Sequence, residues 1–145
     1  MQDYRRILLV VDLSEDSALI GRRAQAIARA SGARIDLLHV VEFVPVEPMG
    51  ETLMPAVQME DDLMDRARER LAALATELGV APESTRIETG NVKTEIVRIA
   101  RELGTDLIVL GSRERHGLSI LVNLTEDTIL HAAPCDVLAV RVRRP

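Results

Sequence analysis

The side chains able to do chemistry in this chain are few: three histidines, a single cysteine, an aspartate closing an apolar run, and a polar loop with two arginines. His39, His116 and His131 lie far apart and follow neither an H-x-x-x-H nor an H-E-x-x-H spacing, which argues against a shared metal site. Cys135, being alone, can form neither an intramolecular disulfide nor a cysteine metal cluster, and between Pro134 and an apolar run it reads as a small buried residue. Ser112 has no evident base and no G-x-S-x-G elbow to activate it. Asp12 has two readings of equal weight, a cap on the following helix or a contact to a metal ion. The loop from Gly111 to Gly117, G-S-R-E-R-H-G, also has two: Arg113 and Arg115 around Glu114 make either an anion-binding loop or a solvated turn. No G-K-[ST], S-G-G-x-D-S or H-x-G-H motif occurs, and no acid, base and nucleophile assemble into a dedicated catalyst.

These residues are positioned by short apolar runs that alternate with helical patterns. Ile7 to Val11 is an unbroken apolar run ending at Asp12, the pattern of a strand covered on both faces. Ser14, Glu15 and Asp16 then supply an N-cap and acidic first turn for a helix carrying Leu19, Ile20, Ala24, Ile27 and Ala28, which Ser31-Gly32 stops. Leu37 to Val41 predicts the second strand. Residues 43 to 56, with three prolines and a glycine, predict an irregular apolar loop. Leu63, Ala67, Leu71, Leu74 and Leu78 then share one face of a helix that ends at Gly79. A short strand at 85 to 88 is followed by Asn91, a cap for the helix bearing Ile96, Val97, Ala100 and Leu103. Leu107 to Leu110 predicts a central strand ending abruptly at Gly111. The loop after it leads to a helix closed by Pro134, and Asp136 to Val142 predicts a last strand. In an open α/β sheet the loop after a central strand's carboxyl end is where ligands bind.

Five strands alternating with four helices call for a parallel sheet with helices on both faces and right-handed crossovers. A chain of 145 residues, 47% hydrophobic and 28% charged, is expected to form one domain over residues 1–145. Its net charge of −5 argues against a nucleic-acid or anionic-membrane surface, and one Tyr, one Phe and no Trp leave no stacking platform. The start, M-Q-D-Y-R-R, lacks an apolar signal region, and no run of 18 apolar residues occurs, so a cytoplasmic location without membrane insertion is expected.

Four blocks, V-V-D-L-S at Val10 to Ser14, L-L-H-V at Leu37 to Val40, D-L-I-V-L-G-S-R at Asp106 to Arg113 and A-P-C-D-V-L-A-V-R at Ala133 to Arg141, together resemble the universal stress protein family. The resemblance implies an α/β fold of the adenine-nucleotide alpha-hydrolase-like kind, an open five-stranded parallel sheet of order 3-2-1-4-5 with four helices, usually in a homodimer. It also implies one of two subclasses: one binds ATP or a related nucleotide through G-x2-G-x9-G-[ST], and the other has lost that motif. Gly111 matches the first glycine, with Ser112 and Arg113 in the variable places. Glu114 stands at the second, and Leu124, or Asn123 in a loop one residue shorter, at the third. Thr125 matches the hydroxyl that follows. Asp12, next to Val11, matches the acidic residue near the phosphates or their metal, and Val40 the position whose backbone faces adenine.

The expectation is therefore a stress-response protein with a degenerate nucleotide loop that does not bind ATP in the usual way. The alternative is an ATP- or AMP-binding protein with magnesium, in which Val11, Asp12, Val40, Gly111, Ser112, Arg113, Arg115 and Thr125 hold the nucleotide, Asp12 meets the metal only through it, and hydrolysis is at most weak. Placed at the sheet edge, the last strand leaves backbone groups unpaired, so Val137, Leu138, Val140 and Val142 are expected to form a homodimer interface.

Overall fold

A computed structural model describes residues 3–42, 53–113 and 129–142, with the backbone alone for residues 53–59 and 113. The chain runs β1 (Arg6–Val10), α1 (Ser17–Ser31), β2 (Arg34–Val41), α2 (Leu53–Leu78), a short 3-10 turn (Pro82–Ser84), β3 (Thr85–Thr89), α3 (Val92–Leu103), β4 (Leu107–Arg113) and β5 (Asp136–Val142). Residues 129–132 are helical and carry the end of the fourth expected helix. The strands form one sheet of order β3-β2-β1-β4-β5, parallel at every pairing, as the alternating pattern requires.

The apolar runs are unbroken because both faces of the central strands are covered. Ile7, Leu9 and Val11 pack with Leu37 and Val109 against Ile20 and Ala24 of α1 and Leu71, Leu74 and Leu78 of α2. Leu8, Leu38, Ile108 and Leu110 pack on the other face against Ile96 and Ile99 of α3 and Ile129. Ile7, Leu8 and Leu9 are wholly buried, each contributing about 1.5–3 kcal/mol. At the amino end of the sheet the Asp106 carboxylate accepts the N–H groups of Arg5 and Arg6 at 2.9 and 3.1 Å, which fixes where β1 starts beside β4.

Helix ends follow the residues expected to make them. Asn91 Oδ1 accepts the Thr94 N–H at 3.0 Å at the start of α3, and Gly32 and Gly104 close α1 and α3 in the left-handed conformation.

Strand β2 starts at Arg34, three residues before the expected Leu37, and three further boundaries also differ from expectation. Helix α1 begins at Ser17 with Asp16 at the cap position, and Ser14 belongs to the preceding turn, where its carbonyl accepts the Ser17 N–H. Helix α2 begins at Leu53, inside the stretch expected to be irregular; Pro55 lies in its first turn, where no intrahelical N–H bond is lost. The rest of that stretch, residues 43–52, lies outside the described residues. Strand β4 does not stop at Gly111 but continues to Arg113, because β5 pairs with it through Gly111↔Val140, Ser112↔Arg141 and Arg113↔Val142.

Candidate functional site

The site is built by the unequal lengths of three strands. β1 has its last rungs at Val10↔Leu38 on one side and Leu9↔Val109 on the other, while β2 runs on to Val41 and β4 to Arg113. Among the described residues a notch therefore opens at the carboxyl end of β1. Backbone groups along a strand alternate sides with period two. The Leu38 carbonyl accepts the Val11 N–H at 3.0 Å, so the backbone groups of Val40 face the same side, where β1 has already ended. The Asp106 N–H reaches the Arg6 carbonyl, so by the same count the backbone of Ser112 faces the notch from β4. The chain also reverses direction across the sheet here, β1 leading outward to β2 and β4 to β5, which is the ligand-binding crevice of open α/β folds.

The floor of the notch is the turn from Val11 to Asp16. Val11 is buried, and its carbonyl oxygen lies 2.8 Å from His39 Nδ1. A carbonyl only accepts, so Nδ1 carries the proton and His39 fastens the end of β1 to β2. Leu13 has φ of 62°, a left-handed conformation costing a side chain of this kind about 1–2 kcal/mol. The Asp12 carboxylate bridges that bend: its Oδ1 accepts the Ser14 N–H at 3.0 Å and the hydroxyl of buried Ser17 at 3.4 Å. Asp12 thus braces the turn that leads into α1 without being the helix cap, a position that Asp16 holds, and it is exposed as well.

Sequence reasoning placed Val11, Asp12, Val40, Gly111 and Ser112 together, and the structure brings them to one end of three adjacent strands. Of Arg113 the backbone is seen ending β4, while Glu114, Arg115, Asn123, Leu124 and Thr125 lie outside the described residues. Ser17 and His39 were missed as parts of the turn. Only the D-x-S-x-x-S spacing of Asp12, Ser14 and Ser17 hinted at the first, and nothing in the sequence at the second. Among the described residues no three His, Cys, Asp or Glu side chains group as a metal site. A magnesium ion would fit here only as a nucleotide brings it, with Asp12 as one carboxylate ligand and phosphate oxygens as others.

Gly111 is not the strand end it was expected to be. It lies in the ladder opposite Val140, and the left-handed residues do not include it. A Cβ added to it would collide with Cδ1 of Ile20 on α1.

An open parallel α/β sheet with a crevice at the β1/β4 switch defines the class of protein. The model of the universal stress protein family matches residues 3–141, and the chain belongs to that family. It is 38% identical over 138 residues to universal stress protein A homolog 1 of Coxiella burnetii, covering 94% of this chain and 96% of that one. The solved universal stress protein UspA from Lactobacillus plantarum superposes with a TM-score of 0.72 at 26% identity, covering 97% of this chain and 100% of that one. A universal stress protein solved in complex with cAMP has the same fold, with a TM-score of 0.62 at 21% identity over 96% of this chain and 98% of that one.

Proposed function

We propose that this chain is a cytoplasmic, regulatory universal stress protein that acts as a homodimer through protein contacts and does not hold ATP by its triphosphate. The observation that carries this reading is the course of β4. Gly111, Ser112 and Arg113, the first three places of the nucleotide motif, are strand rungs against β5, and the sequence has Glu114 next, where the motif has its second glycine. A carboxylate about 4 Å from a phosphate charge costs roughly 4 kcal/mol at an effective dielectric near 20, as a ceiling. Leu124, or Asn123 in a loop one residue shorter, stands where the motif has its third glycine, and any side chain at that place of the motif hinders close approach of a phosphate to the backbone.

Equilibrium dialysis of ATP with magnesium against the wild-type protein and an E114G/N123G/L124G variant tests the reading. The variant is expected to gain binding that the wild type lacks. Equal micromolar binding by both overturns it.

A second reading has its own support. The backbone of Val40 and Ser112 faces an open notch, a frame for the base and sugar of a nucleotide that does not depend on the altered loop. A nucleotide with a single phosphate, such as AMP, or cAMP as in the solved relative, loads least on the missing glycines. Binding of AMP or cAMP without ATP in the same dialysis would select it.

The homodimer rests on the edge position of β5, whose rungs are to β4 on one side. Val140 and Val142 are 5% exposed and belong to the α1-side core of the chain itself, while Val137 and Leu138 are half-buried. In this interface the β5 backbone pairs across a two-fold axis, and the half-buried residues meet their copies.

A further inference from the structure

We propose that Gly111 is a positioning residue: through Ile20 it seats helix α1 against the sheet, and this seat sets where the Asp12 turn stands in the notch. Backbone freedom does not explain a glycine here, because residue 111 sits in a regular ladder without a left-handed φ. Contact with a ligand in the notch does not explain it either. Its neighbours in β4 alternate so that the backbone of Ser112 faces the notch and that of Gly111 faces β5, and its absent side chain points to the α1 face. Space explains it. A Cβ would strike Cδ1 of Ile20 and lie 3.4 Å from its Cγ1. Ile20 is 3% exposed and packed in the core, so its terminal methyl, which swings about χ2, has close-packed neighbours and no solvent to move into.

The next residue completes the seat from the other side. A Cβ on Gly21 would come within 2.5 Å of Leu78 Cδ1 on α2. Helix α1 thus pushes a knob into a gap in β4 and receives a knob from α2 at consecutive positions. This seat lies at the helix start. The Ile20 N–H makes the first bond of α1, to the Asp16 carbonyl at 3.1 Å, and Ser17, one turn before Ile20, donates its hydroxyl to Asp12. A shift of Ile20 is passed to the turn within four residues. The inference stands whether or not the notch holds a nucleotide.

A double-mutant cycle with Ile20→Val, which removes the colliding methyl, tests it. Gly111→Ala is expected to lower Tm by about 3–9 °C in the wild-type background and by less than about 2 °C in the I20V background. The Ser14 and Ser17 backbone amide signals in proton–nitrogen NMR spectra are expected to move in G111A and to return toward their I20V positions in I20V/G111A. Should G111A fail to fold, folding of I20V/G111A supports the seat, and failure of both overturns it. Equal losses of Tm in the two backgrounds also overturn it. A fall in Tm with Ser14 and Ser17 signals unmoved leaves packing alone and overturns the positioning role.

Discussion

Single residues here are tuned by what lies next to them more than by their type. Cys135, half-buried at the start of β5, has its thiol pushed up, first by burial and then by the Asp136 and Asp106 carboxylates; a bond with the Ile108 backbone opposes this. A raised thiol holds less thiolate at a given pH, so Cys135 is expected to react with iodoacetamide at pH 8 more slowly than free cysteine. A rate equal to or above that of the free amino acid would contradict this. Asp36 is buried on β2 and bonds Arg6 Nε at 2.7 Å, with Arg34 at 3.9 Å. Asp36→Ala strands the Arg6 charge and is expected to cost about 2–4 kcal/mol of unfolding free energy, read in urea titrations. A change under about 0.5 kcal/mol would show the pair to be idle. The sequence showed Asp12 and Gly111 but not their partners. Ser17 and Ile20 reach them through the fold, and apolar spacing alone does not say which isoleucine fills which gap.

At the scale of elements, the strands and helices were legible because each buries a continuous apolar face at its own period. Two of the misplaced boundaries trace to residues that read as breakers. Gly111 reads as a breaker in isolation, and only the β5 rungs carry β4 past it. Pro55 reads the same way, although a first helical turn accepts it. The burial of β5 also decides how its edge is probed. A charge at Val140 would test the core, whereas Ala139 is half-buried and absent from both core clusters. Ala139→Arg is expected to convert a dimer into a monomer with unchanged circular dichroism, read by sedimentation equilibrium. A dimer that survives the substitution would reject the β5 interface.

For the whole molecule, fold and family were readable from four short blocks, since a five-stranded parallel sheet leaves little freedom in where those blocks fall. The candidate site was readable only in part. Its residues were named by their positions after strands, but the notch comes from β1 being shorter than β2 and β4, a difference of a few rungs that the apolar runs do not mark. Among the described residues the candidate site consists of a frame of backbone around Val40 and Ser112, the Asp12 turn, and Gly111, whose missing side chain leaves room for Ile20. On the function proposed above, this protein keeps the family scaffold and lacks the grip on a triphosphate that the resemblance implies for one of two subclasses. Calorimetric titration of ATP with magnesium into protein freed of carried-over nucleotide tests that most directly. No binding heat at ligand concentrations up to about 1 mM, corresponding to binding weaker than about −4 kcal/mol, is the predicted result. Saturable binding at micromolar strength would contradict it.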